Sequence, residues 1–394
     1  MKRRSFLINT SLATTALFVP NFLKAFNNKG LEQSNGKILL IVQLSGGNDG
    51  LNTFVPFTND NYFKQRPRLG IKPEKVLQLN SEQGLNEVMK GWKALFDNGS
   101  MAMLNAVGYP NPDRSHFRSM DIWHSASSSA DYIQTGWIGR YLDNYCDGKP
   151  YKAIELDDSL SLSMKGDFVK GLAVKNPKRL YEMAHSEWLK PYSALASTHE
   201  EPVAYLYKTL VETTAGANYL HEHFNAYQSK TEFPNNEFGK DLKTIAGLIG
   251  SGCETSVYYV SLGSFDTHVG QESRQNKLLE QLSDGLKIFM DEMKLINRDK
   301  DVLTMVFSEF GRRVSQNASG GTDHGTANNI VLIGNGLQQK GILNAAPDLK
   351  NLDDNGDIKF QVDFRNIYAT ILNKWLQADD SKILQQNFEL MHFV

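Results

Sequence analysis

One short apolar run followed by a polar, glycine-rich loop constrains the fold of this chain more than any other stretch. The run from Val302 to Phe307 has the composition of a buried strand in a parallel sheet. Glu309 follows it almost directly, and the glycine-rich loop beyond carries Asp323 and His324. Because ligands bind outside the carboxyl ends of the strands in open α/β sheets, we expect these side chains to line a site.

The side chains at this strand end have the chemistry of metal ligands. Glu309 and Asp323 offer carboxylate oxygens and His324 offers an imidazole nitrogen, which together are donors that divalent metals use. The same composition also suits an ordinary surface loop, with glycine for the turns and acids for solubility. Matching clusters elsewhere in the chain therefore decide between the two interpretations.

Three more apolar runs end in polar residues of the same kind, and each run predicts a core strand. The runs and the residues that follow them are 37–44 with Asp49, 101–107 with Arg114, Ser115 and His116, and 256–262 with Asp266 and His268. Any one of these clusters alone is explained as a turn, a capping aspartate or a solvated histidine. Because the strand ends meet at one edge of a parallel sheet, we expect the clusters to converge.

Ser115 stands where a strand passes into a predicted helix. A serine at a helix start is first of all an N-cap, which satisfies free backbone N–H groups of the first turn. The same position, between Arg114 and His116, also suits a nucleophile or an anion-binding group. Both interpretations stay open from the sequence.

Composition and charge exclude several function classes. The chain has 394 residues, 41% of them hydrophobic and 22% charged, as expected for a globular protein with a sizeable core. The formal net charge of −2 gives no reason to expect a nucleic-acid partner. The only cysteines, Cys146 and Cys253, make neither a disulfide framework nor a thiolate zinc site, although one disulfide between them stays possible.

The first 30 residues resemble a twin-arginine export signal and spacer. Arg3 and Arg4 precede Phe6 and Leu7, and an uncharged stretch follows. That stretch contains several polar residues and is interrupted by Pro20, so it makes a poor transmembrane helix. We expect a periplasmic or secreted protein with no stable membrane span after cleavage of the signal; an uncleaved signal anchor is the alternative.

The remaining residues, 31–394, are expected to form a single α/β domain. Its predicted core is a mostly parallel central sheet sandwiched by helices. Residues 166–247 have a helical pattern and predict an insertion packed over the sheet, while 85–96 predict a helix before the second strand. The acidic stretch 353–357 lacks the terminal glutamate of an EF-hand and is interpreted as a turn.

The order of the polar clusters resembles the alkaline phosphatase-like superfamily, which includes phosphatases and sulfatases. More closely, the segments LSGGNDGLN, RSHF, FDTH, SEFGRR and TDHG look like a secreted bacterial family known as domain of unknown function family 1501. The resemblance covers nearly the whole mature chain and implies an alkaline phosphatase-like fold. A formylglycine sulfatase is not expected, because Pro110 stands where that signature needs Cys or Ser.

The resemblance implies roles for individual residues. Ser115 corresponds to a nucleophile at a helix start, and His116 is expected to bind metal or to orient Ser115. Arg114 and Arg312 are expected to hold the oxygens of a tetrahedral anion. The implied metal ligands are Asp49, Asp266, His268, Glu309, Asp323 and His324.

The expected activity is metal-dependent hydrolysis of phosphate or sulfate esters, with a small-molecule or glycan ester as substrate. Either Ser115 or a water activated by the metal is the expected nucleophile. Glu309 replaces an Asp-His pair of the superfamily, which favours oxygen-preferring ions. One or two ions of zinc, magnesium, calcium or manganese are therefore considered. The alternative is an exported protein that binds a metal, an anion or a glycan without turnover.

Overall fold

The computed structural model describes residues 36–187 and 201–394. The predicted export signal and spacer, residues 1–30, lie outside the described residues. Gly36–Val394 form one compact unit. Across the described part of the chain, no helix combines the length and the apolar character that crossing a membrane requires.

The strands build one large sheet and one small antiparallel sheet. In chain order they are β1 (Ile38–Leu44), β2 (Phe54–Val55), β3 (Val76–Gln78), β4 (Gly84–Asn86), β5 (Met101–Gly108), β6 (Ala153–Glu155), β7 (Leu172–Ala173), β8 (Val257–Leu262), β9 (Val302–Phe307), β10 (Asn328–Ile333), β11 (Gly341–Ile342) and β12 (Val362–Asp363). Within the described residues the large sheet has nine strands in the order β11-β5-β10-β9-β1-β8-β6-β7, with β12 also paired to β5. The small sheet has the order β2-β4-β3.

Most pairs in the large sheet are parallel, which confirms the predicted fold class. β1 lies at its centre and pairs in parallel with β8 on one side and β9 on the other. β10 runs antiparallel to both β9 and β5, so it begins at the edge where β9 ends. The loop between β9 and β10, which carries Asp323 and His324, therefore returns to the carboxyl edge of the sheet.

Helices cover both faces of the large sheet. The α-helices are α1 (Gly50–Thr53), α2 (Asp60–Gln65), α3 (Lys90–Asp97), α4 (His116–Ser125), α5 (Trp137–Tyr145), α6 (Pro177–Ala184), α7 (Glu201–Phe224), α8 (Glu237–Gly250), α9 (Gln271–Leu295), α10 (Phe364–Thr370) and α11 (Asp380–Leu384). A π-helical segment, Ile371–Trp375, continues α10. Short 3-10 helices span Pro73–Lys75, Pro150–Lys152 and Leu162–Met164.

Two hydrophobic cores lie on opposite faces of the sheet. Leu40 and Val42 of β1 pack into one core with α3, α8 and α9, whereas Leu39 and Ile41 pack into the other with α4, α5 and α10. This alternation follows from the two-residue period of a strand, and each buried Leu, Ile or Val side chain contributes roughly 1.5–3 kcal/mol. β1 is thus buried on both faces, which explains its uninterrupted apolar run.

The two cysteines belong to these two different cores. Cys146 is buried in the core that contains α5, and Cys253 is buried in the core that contains α8. Both are free thiols. The sheet lies between the two cores, so the disulfide that the sequence left open is not formed.

The secondary structure differs from the predicted one in two places. Leu85 was expected to begin a helix, but it belongs to β4, and the helix starts only at Lys90. Leu85 is fully buried, and its strand pairs with β2 and β3, so tertiary contacts override the helical pattern. The region 166–247 contains the edge strand β7 as well as helices, and its residues 188–200 lie outside the described part.

Candidate metal centre

Four segments at the carboxyl edge of the large sheet bring the site together. Asp266 follows β8, and Glu309 follows β9, two strands that flank β1. His116 is the first residue of α4, which begins after β5. His324 lies in the loop between β9 and β10, where it forms an isolated antiparallel bridge with Arg312.

Three imidazole nitrogens surround one carboxylate oxygen. Asp266 Oδ1 lies 3.0 Å from His268 Nε2, 3.2 Å from His324 Nε2 and 3.7 Å from His116 Nε2. The Nε2 atoms of His268 and His324 are only 3.0 Å apart. Donor atoms of His116, Asp266 and His324 all lie within 4.8 Å of one another.

The other nitrogen of each imidazole is held from outside the cluster. Every Nδ1 atom faces an oxygen at 2.9 Å. The pairs are His116 with Glu309 Oε1, His268 with Asp323 Oδ1 and His324 with the carbonyl of Arg114. A carbonyl or an ionised carboxylate can only accept a hydrogen bond, so each Nδ1 must carry a proton. This is the arrangement in which metal-binding histidines are usually held in proteins.

Because each Nδ1 carries a proton, the nitrogen that faces Asp266 is Nε2, which carries none in a neutral ring. In a neutral imidazole the remaining nitrogen presents a lone pair, so three lone pairs point at a negatively charged oxygen. Lone pairs 3.0 Å apart repel each other unless a proton or a metal cation lies between them. His116 Nε2 is buried and has no hydrogen-bond partner, which is costly for a polar atom without a cation nearby.

The spacing of the donor atoms fits a small cation. Two donors bound tetrahedrally at 2.0–2.1 Å from zinc are roughly 3.3 Å apart. The separations around Asp266 Oδ1 run from 3.0 to 3.7 Å. Each imidazole thus lies at a suitable distance from Asp266 for a zinc-type ion, and the three residues whose donor atoms all lie near one another are His116, Asp266 and His324, with His268 beside Asp266 and His324.

Three ionisable side chains of the cluster have pKa values that differ from their usual ones. Burial favours the protonated form of Asp266, but the hydrogen bond and the positive charge of Arg312 oppose it, and the pKa of Asp266 falls to about 2. The hydrogen bond to Glu309 raises the pKa of His116, whereas burial lowers the pKa of His324. Asp266 therefore stays ionised at neutral pH, and the pKa of His324 favours its neutral, ligating form.

Asp49 lies apart from the imidazoles. Its side chain is almost fully buried and caps α1 by accepting from the Leu51 N–H group. The other carboxylate oxygen accepts from Arg66 Nη1 at 2.6 Å and from Gln271 Nε2 at 2.5 Å. These bonds leave Asp49 in a buried ion pair instead of the metal cluster.

Arg312 is occupied by the protein itself. It is 2% exposed, and its guanidinium donates to Asp266 Oδ1 at 2.6 Å. Its remaining hydrogen bonds go to the backbone carbonyls of Gly46, Gly47, Phe265 and Thr322. Arg312 thus holds the loops around Asp266 together, and its predicted role in substrate binding stays a prediction.

Arg114 is also held by carboxylates. Its Nη2 atom lies 2.5 Å from Asp357 and 3.2 Å from Asp353, and its Nε atom donates to Asp357 at 2.9 Å. Both aspartates belong to the acidic stretch 353–357, whose sequence is interpreted as a turn. The stretch is a turn that also fixes Arg114, the residue whose carbonyl orients His324.

Glu309 binds Nδ1 of His116, and Asp323 binds Nδ1 of His268. Neither carboxylate faces Asp266. Glu309 is buried, and its Oε1 also accepts from the Gly46 N–H group at 2.8 Å. The backbone at Gly46 has φ +114°, and a Cβ there would lie 2.5 Å from the backbone nitrogen of Asp266. Only glycine allows this close approach, so the glycine-rich loop after β1 packs against the cluster and supports it.

Ser115 occupies the N-cap position of α4 but does not cap it. Its side chain makes no hydrogen bond to the first turn, and its N–H group donates to Asp113 Oδ1 at 2.7 Å. The residue is exposed and lies between Arg114 and His116, which both contact the cluster. Its hydroxyl is therefore accessible for chemistry.

Some residues that build the site were not identified from the sequence. Phe310 packs its ring against His116 and His324, with centroids 4.9 and 4.7 Å apart. Phe310 follows Glu309 directly, and this position next to a predicted metal ligand is the sequence feature that could have identified it. Arg66 and Gln271, which bind Asp49, stand in helical stretches without any motif, and no sequence signal identified them.

Comparison with solved structures gives matches of low TM-score to bacterial enzymes and periplasmic proteins. The PsFucS1 sulfatase from Pseudoalteromonas sp. has a TM-score of 0.41 at 10% identity, covering 92% of this chain and 71% of the other. The C-terminal periplasmic domain of EcEptC from Escherichia coli, in complex with Zn, has a TM-score of 0.37 at 9% identity, covering 77% and 76%. The lipoteichoic acid synthase LtaP from Listeria monocytogenes has a TM-score of 0.36 at 10% identity, covering 82% and 73%. These low scores carry no information about the chemistry of the site.

The sequence itself is related to one family. No curated protein matches the chain. Residues 185–388 match a family described as "Protein of unknown function (DUF1501)", and this stretch contains Asp266, His268, Glu309, Asp323 and His324. The match confirms the predicted resemblance. Because it spans more than half of the 394 residues, the chain belongs to the DUF1501 family.

Proposed function

We propose that this chain is an exported, metal-dependent hydrolase of phosphate or sulfate esters. The observation that carries the proposal is the orientation of three imidazoles. Their Nδ1 atoms are all held from outside, and their Nε2 atoms all face Asp266 Oδ1 at 3.0–3.7 Å. A metal cation among these nitrogens and the carboxylate would make all of them favourable ligands, with each ring held through its Nδ1 as metal-binding histidines usually are.

One divalent cation would be held by His116, His268, His324 and Asp266. Three imidazoles and one carboxylate favour a zinc-type ion over the magnesium or calcium that an oxygen-rich site would favour. Glu309 and Asp323 would act one step further out, by fixing the tautomer and the ring orientation of two ligands. When bound, such an ion supplies positive charge opposite the oxygens of an ester.

Ser115 is the proposed nucleophile. Its hydroxyl is exposed, and it lies at the start of α4, where the helix dipole and the free N–H groups of the first turn favour negative oxygens. Attack by Ser115 Oγ on phosphorus or sulfur would form a serine ester and release the alcohol of the substrate. Water would then hydrolyse the serine ester and restore the hydroxyl.

The second candidate function is metal binding without turnover. The observation that favours it is the state of the two predicted oxygen-binding arginines. Arg312 is buried with its N–H groups bound to protein oxygens, and Arg114 is paired with Asp353 and Asp357. A hydrolase at this site would therefore rely on the cation and on α4 for positive charge.

The experiment that separates the two candidates uses the full chain loaded with zinc. Hydrolysis of a panel of phosphate and sulfate esters would be measured for the wild type and for His268→Ala. A hydrolase gives turnover that the variant abolishes. Stoichiometric zinc without turnover on any ester supports the second candidate and contradicts the first.

Export remains part of the proposal and rests on Arg3 and Arg4. Replacing both by lysine should retain the precursor in the cytoplasm if the twin-arginine route carries it. Undiminished export of the lysine variant would contradict this route.

A further inference from the structure

We propose that the cavity beside the metal cluster binds an uncharged aromatic ring of the substrate. This inference rests on the proposed hydrolase function, because it names the part of the ester that does not react. The cavity has a volume of about 320 Å³. Its walls are mainly apolar, and they include Tyr109, Trp123, Phe310, Ala327, Ile358 and Phe360.

The cavity shares walls with the reactive groups. Phe310 lines it and also packs against the imidazoles of His116 and His324. Asp113 lines it as well, and its carboxylate accepts from the N–H group of Ser115. A ring bound in the cavity would therefore lie next to both the nucleophile and the cluster, as the non-reacting part of an ester requires.

Three polar atoms of the cavity wall already have partners, while the charged side chains of Asp113, Glu309, Asp353 and Lys359 also line the cavity. Trp123 Nε1 donates to the carbonyl of Glu309 at 2.8 Å, and Thr326 Oγ1 donates to the carbonyl of Ile358 at 2.6 Å. The Tyr109 hydroxyl lies 3.1 Å from Ser119 Oγ. A sugar hydroxyl against the apolar part of the wall would lose hydrogen bonds to water without replacing them, which is costly for each such group. An apolar ring loses none.

The size and the shape of the wall fit a ring system larger than benzene. An apolar cavity of about 150 Å³ is enough to bind benzene, and this one is roughly twice as large. Phe307 and Phe364 already stack on Trp123, so the aromatic contact to a bound ring comes from the other aromatic lining residues, Tyr109, Phe310 and Phe360. Phe360 lines the cavity and is 38% exposed, so it would lie between a bound ring and solvent.

The test measures binding of 2-naphthol, which has no ester bond and needs no metal for the measurement. Dissociation constants would be determined calorimetrically for wild type, Phe360→Ala and Ala327→Leu. Removing the covering ring or filling the cavity should each weaken binding by about tenfold. Phe168→Ala is the matched control, because Phe168 is another exposed phenylalanine that does not line the cavity, and it should bind like wild type.

Several outcomes overturn the inference. They are absence of 2-naphthol binding to wild type, equal binding by Phe360→Ala and wild type, and tighter binding of methyl glucoside than of 2-naphthol. If Ala327→Leu does not fold, Phe360→Ala still tests the inference, because the Phe360 ring is partly exposed and is not part of the buried core.

If the proposed hydrolase function is wrong but the cavity binds an aromatic ring, these measurements give a different result. Binding of 2-naphthol that Phe360→Ala weakens, together with no hydrolysis of 2-naphthyl phosphate or sulfate, supports the cavity and contradicts the hydrolase. Equal KM values for 2-naphthyl and methyl esters, without 2-naphthol binding, support the hydrolase and overturn the cavity.

Discussion

His268 Nε2 and His324 Nε2 lie 3.0 Å apart, although neither nitrogen carries a proton when both rings are neutral. The two residues come from different loops, one after β8 and one before β10. Their Nδ1 atoms are fixed by Asp323 and by the carbonyl of Arg114, so neither ring can turn away without breaking a hydrogen bond. The fold therefore holds two repelling lone pairs together, and a shared cation removes this repulsion.

The first prediction concerns the glutamate that orients His116. Glu309→Gln keeps the size of the side chain but removes its charge, so the protonated Nδ1 of His116 loses a charge-assisted hydrogen bond. Zinc affinity should fall about 10- to 100-fold, as for other residues that orient metal ligands. Competition with a chromophoric chelator measures the change.

Glu292→Gln is the control for this variant. Glu292 is also a fully buried glutamate, and it accepts hydrogen bonds from the backbone of Lys230 and Thr231 in another part of the fold. Its replacement should leave zinc affinity unchanged. An equal loss of affinity in both variants would mean that Glu309 acts only through general stability.

The second prediction separates Asp49 from the metal cluster. Asp49→Asn removes the charge that faces the buried Arg66 guanidinium and should lower the free energy of unfolding by about 3–5 kcal/mol. Asp266→Asn, at a carboxylate that is 47% exposed, should lose zinc while remaining folded. Urea denaturation and metal analysis of both variants measure the two effects. If Asp49→Asn is folded but loses zinc, Asp49 is a metal ligand, as the sequence predicted.

The third prediction tests Ser115 as the nucleophile. Because its side chain makes no capping bond, Ser115→Gly should cost only a few tenths of a kcal/mol in stability and should keep its zinc. Turnover of any ester that the wild type hydrolyses should fall by orders of magnitude. Steady-state kinetics beside a thermal melt check both statements. Persisting turnover in the folded variant would show that water attacks instead.

The fourth prediction is a pH dependence of stability that is independent of the metal site. Burial raises the pKa of Glu155 from 4.5 to about 7 in the folded protein. Between these values the folded state holds a proton that the unfolded state has released, so stability falls as pH rises from about 4.5 to about 7. The loss amounts to roughly 3 kcal/mol and is complete above the folded-state pKa.

Glu155→Gln should remove this contribution. The amide oxygen can still accept from the Ser161 N–H group, which Glu155 Oε2 binds at 2.8 Å. Urea denaturation at pH 5 and pH 8 should show a smaller difference for the variant than for wild type. Identical differences would mean that Glu155 does not titrate in this range.

The core strands and their polar ends were predictable from the sequence, because buried parallel strands appear as continuous apolar runs. Val302–Phe307 has the predicted bounds, and β1, β5 and β8 differ from their predicted bounds by one residue at an end. β4 was missed because Leu85 starts an apolar pattern that is compatible with a helix, and only its pairing with other strands decides otherwise.

Which polar residues meet at the edge of the sheet was less predictable. Asp49 and Asp266 both follow core strands, yet only Asp266 lies among the imidazoles. Asp49 is instead bound by Arg66 and Gln271, which come from α2's end and from α9. Strand position places a residue at the edge, but the partners supplied by distant helices determine where its side chain points.

The central claim is that His116, His268, His324 and Asp266 hold one divalent ion. X-ray absorption at the zinc edge, on full-length protein loaded with one equivalent of zinc, tests it most directly. We expect one tightly bound zinc with three imidazole nitrogens among its ligands, and His324→Ala should reduce that number to two with weaker binding. Zinc that binds without imidazole ligands, or no tight binding at all, would show that these residues do not form a metal site.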